Sequence, residues 1–538
     1  MGFVTLDWIV VSIYFLILMG IAWWVIRQKQ DSPTDYFLAG RHIGWFVIGA
    51  SIFASNIGSE HIVGLAGTAA KTGVVMGHYE LHSWLVLLLG WVFVPFYMRS
   101  KVFTMPEFLE LRYSPKARWF LSLITLIGYI LTKVSVTVYA GAVVFQTLMG
   151  IDFWTGALIV ILLTGIYTVL GGLRAVVYTE ALQTIVLIAG SVTVMIIGLI
   201  KIGGWENLRT IAGSQHFNLF LPADHPEFPW PGMVFAPPIV GLWYWCTDQY
   251  IVQRILAAKN ETQARRGTIF AAYLKLLPFF IFMIPGIIAY ALAKTGALNL
   301  PEADQAFPAL VKALLPAGLR GLVAGGLLAA LMSSLAAVFN SCSTLFTIDI
   351  YKKLKPESSE KRLVTVGRIA TGVVVISGIL WIPFMKYISG ELYHYLQSVQ
   401  AYIAPPIAAV FFLGLFFKRI NSKGALSALI GGFVIGMLRL IAELNKEALE
   451  GIGGILYSFA SVNFLYFAIY LFVGCSILMV IVSLLSSPPS YEQIKGLTYA
   501  TTIAEDRAVS RKSWNSKDVL LSVIVVIIIA LILMYFTG

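Results

Sequence analysis

The chain has 538 residues, of which 58% are hydrophobic and only 12% charged. An ordinary soluble domain carries a charged fraction of about 25%, so the composition excludes a water-soluble globular protein and makes lipid the solvent. A net charge of +11 raises nucleic acid as a partner, but the placement of the basic residues, taken up below, answers to topology instead.

Apolar windows of roughly 19 residues predict an all-α integral membrane protein with about fourteen spans, near 7–27, 43–68, 76–98, 119–148, 152–171, 175–200, 233–253, 268–293, 319–348, 364–385, 395–417, 424–443, 462–486 and 518–536. The first lacks a basic n-region and ends in the stop-transfer flank WWVIRQKQ, so it reads as a retained helix and not a signal peptide. The longest connections, about 201–232 and 487–516, are too short to carry a soluble core. Counting connections alternately, 26 of the 38 basic residues fall in one set and 9 in the other. The positive-inside bias makes the first set cytoplasmic and, with an even number of spans, leaves both termini outside. Cys246, Cys342 and Cys475 all lie in spans without CxxC spacing, which supports neither a disulfide framework nor a zinc site.

Polar groups inside the spans carry the functional signal. Residues 53–67, FASNIGSEHIVGLAG, place Ser55, Asn56, Gly58, Ser59, Glu60 and His61 at membrane depth, where non-helical backbone requires buried protein, a watered cavity or a bound ion. Glu80, in VMGHYELHSW, is a carboxylate inside a span, and ionisable groups there mark a pathway or an internal pair. The run GLWYWCTDQYIVQR at 241–254 joins aromatic rings to Asp248, Gln249, Gln253 and Arg254; such rings form interfacial belts or stack on the apolar faces of sugars. Lys275, in FAAYLKLLPFF, is a cation between apolar residues, suited to an internal carboxylate or to a ligand. In GGLLAALMSSLAAVFNSCST at 325–344, small residues suit close helix packing, while the hydroxyls of Ser333 and Ser334, with the carbonyls of Ala54 and Ile57, suit a hard cation such as sodium. One carboxylate, one ammonium and amides match a neutral polyhydroxylated ligand, whose hydroxyls both donate and accept. Glu80 and Gln397 are expected to bond such hydroxyls and not to bridge helices.

The runs FASNIGSEHIVGLAG, WYWCTDQYIVQR, LMSSLAAVFNSCSTLFTIDIY and APPIAAVFFLGLFFKRI resemble the sodium/solute symporter family, and within it the sodium/glucose cotransporter branch, from DYFLAGR at 35–41 to about residue 423. The resemblance implies a 5+5 inverted-repeat core with two broken helices, 43–68 and 233–253. Its parts are an N-terminal extra helix (1–42), a first repeat (43–200), an external loop (201–232), a second repeat (233–418) and C-terminal extra helices (419–538). It implies a sodium site at Ala54, Ile57, Ser333 and Ser334, with Ala330 at a third position that is serine in some members. The sugar site it implies is Asn56, His61, Glu80, Tyr244, Lys275 and Gln397, with Tyr79, Tyr244 and Tyr393 as gating aromatics. Gly241 stands at a sugar-contact position that is polar in other members. Glu180 stands where the family has aspartate on the sodium exit route, and Ala336 and Ala337 stand where members moving two sodium ions carry a Thr/Ser pair.

The expected function is sodium-coupled uptake of a hexose such as glucose or galactose by alternating access, one sodium per sugar. Sodium is co-transported, and neither nucleic acid nor an obligate protein partner is expected beside sugar and membrane lipid. Another small solute, myo-inositol or proline-like, and a sugar-gated sodium-conducting sensor are the alternatives. No GxxxxGK[ST] motif and no recurring nucleophile and base point to an enzyme. Expected external loops lack N-x-S/T, which leans towards the plasma membrane of a bacterium.

Overall fold

The computed structural model describes residues 3–27, 32–58, 60–381 and 392–538. Among them the chain is helical nearly throughout and forms no strand, only isolated bridges of Ile43 with Ala258 and Asn218 with Thr537. Among the described residues ten helices are long and apolar enough to cross a membrane, or eleven if the bent pair Trp45–Asn56 and His61–Thr72 is one span. This falls short of fourteen because three expected segments lie on interrupted or short helix. Wide π-type turns at Tyr129–Val134 and Phe145–Met149 break up the first, the second ends at the Gly172 kink described next, and the third is split between Trp230–Cys246 and Gln249–Leu256.

The run Phe153–Ile202 turns back on itself at Gly172, where φ is +57°. A Cβ there would also lie 2.7 Å from the carbonyl oxygen of Tyr36, so both backbone sign and space require glycine. The helix Leu319–Thr344 is buried nearly throughout. Its Gly, Ala and Ser residues let the neighbouring helices approach, and it packs on Phe153–Ile202, the N-terminal helix Thr5–Ile26 and Trp45–Asn56. Asp7 ties the N-terminal helix to it, accepting from Arg320 at 2.5 Å and from the amides of Gly318 and Gly321.

The basic connections gather at one end of the molecule. There Arg41 and Arg174 reach the carbonyls of Val102 and Ala39, Arg118 pairs with Asp349 and Glu110, and Lys353 pairs with Glu110. Arg419 bonds the carbonyl of Ser486, and Arg99 faces Asp506. The opposite end joins Val74 to His216, Lys294 to Ile211, Lys312 to Thr147 and Leu219 to Phe536. The three cysteines are buried and unpaired.

Candidate functional site

Helix Trp45–Asn56 stops because Ile57 turns extended, at φ −78° and ψ 99°, leaving carbonyls of its last turn without helical amides. Ser334 on Leu319–Thr344 donates towards them, with its Oγ 3.2 Å from the carbonyl oxygens of both Ser55 and Ile57. The hydroxyl of Tyr250, from the second half of the other broken helix, donates to the Ser55 carbonyl and lies 3.4 Å from that of Ser334. Oxygens therefore converge at the break, the donor type a hard cation takes. Ala54 is buried in the same last turn. Among the described residues no three His, Cys, Asp or Glu side chains converge as a transition-metal site requires.

Ser333, the other serine of the pair, has its own partner in this structure. Adjacent helical residues point about 100° apart, and its Oγ bonds Glu180 Oε1 at 3.2 Å. Glu180 also accepts from Ser51, from Ser55 at 2.9 Å and from Arg254 at 3.1 Å, all of them buried. A carboxylate this surrounded is a junction between four helical segments.

Beside the break lies a small cavity with polar and aromatic walls. Asn56, His61, Glu80, Tyr244, Lys275 and Gln397 all line it, together with Tyr79, His82, Val240, Gly241, Trp245, Leu396 and Gln400. Glu80 differs from its expected part. Its carboxylate holds Lys275 Nζ at 2.6 Å and His61 Nε2 at 3.2 Å, so it bridges Gly77–Glu80 to Glu261–Pro278 while still facing the cavity. The reason is the cost of either charge alone in a buried site. Asn56 Nδ2 lies 3.4 Å from His61 Nε2, extending the network to the break. Gln397 Oε1 is buried with no hydrogen-bond partner among the described residues.

Tyr244 and Trp245 meet edge to face at 5.0 Å, and Lys133 Nζ sits 4.5 Å above the Tyr244 ring and 4.4 Å above that of Tyr250. Asp248 caps Gln249–Leu256 from between the two halves, accepting from the amide and, through Oδ1, from Tyr129. Tyr393 begins the helix Leu392–Phe416, but its side chain lies outside the described residues. Sequence reasoning did not single out Tyr250, His82, Trp245 or Gln400. The spacing of Tyr79 and His82 at i and i+3 put both on one face, and was the available signal for His82.

Known proteins resemble this chain. The model of the sodium:solute symporter family matches residues 36–432. Sodium/glucose cotransporter 1 of Oryctolagus cuniculus is 40% identical over 532 residues, covering 90% of this chain and 79% of that protein. Sodium/myo-inositol cotransporter 2 of Homo sapiens is 40% identical over 531 residues, covering 92% and 79%. Among solved structures, a Na+-coupled sialic acid symporter in a substrate-bound outward-open state superposes with a TM-score of 0.78 at 23% identity, over 91% of this chain and 99% of that one. The likeness to that structure is one of fold.

Proposed function

The chain belongs to the sodium:solute symporter family, and from that premise we propose that it carries a neutral polyhydroxylated ring, a hexose such as glucose or galactose, into the cell with sodium. The observation that carries the reading is the cavity's balance of charge. Glu80 and Lys275 neutralise one another at 2.6 Å, so this pair leaves no net charge for an anionic solute, while the Gln397 oxygen meets no donor among the described residues and a ligand hydroxyl would supply one. Tyr244 and Trp245 offer faces for a sugar ring. The carbonyl of Ile57 and the hydroxyl of Ser334 fit a sodium site at the break, completed by the carbonyl of Ala54. Sodium there orders the break that bears Asn56 and so finishes the sugar site, a coupling that must be reciprocal.

The same reading takes the chain as fourteen spans with repeats at 43–200 and 233–418, alternating access by rocking of one helix group on the other, and the basic end in the cytoplasm with both termini outside. Tyr244 serves as the inner gate, with Tyr79 and Tyr393 on the outer side and Glu180 on the sodium exit route. Myo-inositol is the second reading, favoured by the relatives that bear its name. Counterflow of labelled glucose, galactose and myo-inositol in sodium-loaded proteoliposomes tests both. Hexose exchange that requires sodium is expected; exchange of myo-inositol alone overturns the hexose reading, and sugar-evoked current without any counterflow overturns transport in favour of a sensor.

A further inference from the structure

We propose that His82 is a substrate-contacting residue that sets specificity, and that position 241 is glycine to make room for its ring. The inference rests on the reading of the cavity as a sugar site. His82 is 4% exposed and faces the same cavity as Glu80, Lys275 and Gln397. Its ring leans on Tyr79, with centroids 5.7 Å apart. A Cβ on Gly241 would lie 2.6 Å from His82 Nδ1 and 2.9 Å from Cε1, closer than such atoms approach, and 2.5 Å from Leu85 Cδ1. The imidazole therefore fills the volume that any side chain at 241 would claim, so one polar group stands in for another across two helices.

Packing alone does not account for an imidazole there. His82 Nε2 is buried and has no hydrogen-bond partner among the described residues, a deficit that an apolar side chain of similar size would not carry. A neutral imidazole offers one donor and one acceptor, and Nε2 takes either part according to the tautomer. A ring hydroxyl, which also donates and accepts, satisfies it in either state. A site built to bond a hydroxyl rejects the analogue that lacks it far more strongly than an apolar pocket rejects an added group. His82 thus makes the site selective for a solute bearing a hydroxyl at one particular ring position.

The test measures binding to the purified full-length protein in saturating sodium, using whichever of glucose and galactose the wild type binds more tightly, together with its monodeoxy analogues. His82→Leu should raise the Kd of the parent sugar about tenfold. It should leave one monodeoxy analogue bound as by the wild type, and that analogue should be the one the wild type itself holds about tenfold more weakly. Gly241→Ala should mimic the loss by displacing the ring, and Gly241→Ser placed on His82→Ala should restore part of the affinity. Should His82→Leu not fold, His82→Asn is judged by the same analogue pattern. A variant that melts as the wild type does and binds every sugar equally well, or one that loses all analogues in proportion, overturns the inference while the sugar reading stands. A wild-type protein that binds neither hexose nor myo-inositol overturns both.

Discussion

The ion pair of Glu80 and Lys275 makes some substitutions uninformative about sugar unless stability is measured beside them. Glu80→Ala strands a buried ammonium without its carboxylate, and breaking such a pair from one side costs about 3–5 kcal/mol. We expect a lowered melting temperature in detergent for Glu80→Ala and substantial recovery when Lys275→Met is added, with sugar affinity restored in neither. A double variant that binds sugar like the wild type would remove both residues from the site. Gln397 is the cleaner probe, because its amide oxygen has no hydrogen-bond partner among the described residues. Gln397→Ala should weaken sugar binding by about 1–2 kcal/mol with the melting temperature unchanged, as read by isothermal calorimetry in saturating sodium; unaltered affinity sinks the contact. The two serines should separate as well. Ser334→Ala should raise the sodium concentration for half-maximal uptake, and very high sodium should largely restore sugar affinity. If sodium dependence does not move, Ser334 is a packing residue.

Among the elements, the first broken helix was legible in the sequence because its cause is local, Asn56, Gly58 and Ser59 in one apolar run unfit for an uninterrupted span, whereas the second was expected only from the family resemblance. The serine-bearing helix was legible, like the first break, from local residues. Pairing was not. Glu80 and Lys275 stand 195 positions apart, and the sequence states that each charge is costly without stating that each answers the other. Ser333 shows a second limit, since the sequence did not state that its hydroxyl meets Glu180, 153 positions away. At the basic end, short elements are tied by charge. Burial pushes the Glu110 carboxyl up, but hydrogen bonds from Lys353 at 2.7 Å and Arg118 at 2.6 Å outweigh it and hold it below its ordinary value. A carboxyl so depressed stabilises the fold above its unfolded value, and that contribution is lost as pH falls through the folded one. Glu110→Gln should therefore melt below the wild type at pH 7, and the gap should close as the pH drops below about 4. A gap independent of pH shows that the ionised carboxylate is not what ties these helices.

At the scale of the whole molecule the question is how many sodium ions drive one solute. A membrane potential of about 100 mV gives one sodium roughly 2.3 kcal/mol, and a tenfold sodium gradient adds about 1.4 kcal/mol, enough together for a solute gradient of about 500-fold. Two sodium ions would square that figure. A second ion needs its own oxygens, and the positions directly after the Ser333–Leu335 run are Ala336 and Ala337, both fully buried and without side-chain oxygen to replace a cation's hydration shell. The carboxylate that meets this helix at Ser333, Glu180, is also met by Ser51, Ser55 and the guanidinium of Arg254 at 3.1 Å. A second sodium would have to displace a positive charge that is part of the fold. We therefore expect one sodium per solute, read directly from the reversal potential of sugar-coupled current as the sodium gradient is varied. Arg254→Gln should destabilise the protein without creating a second ion site, because the missing oxygens are at 336 and 337. A ratio near two in the wild type would show instead that Glu180 exchanges Arg254 for sodium during the cycle.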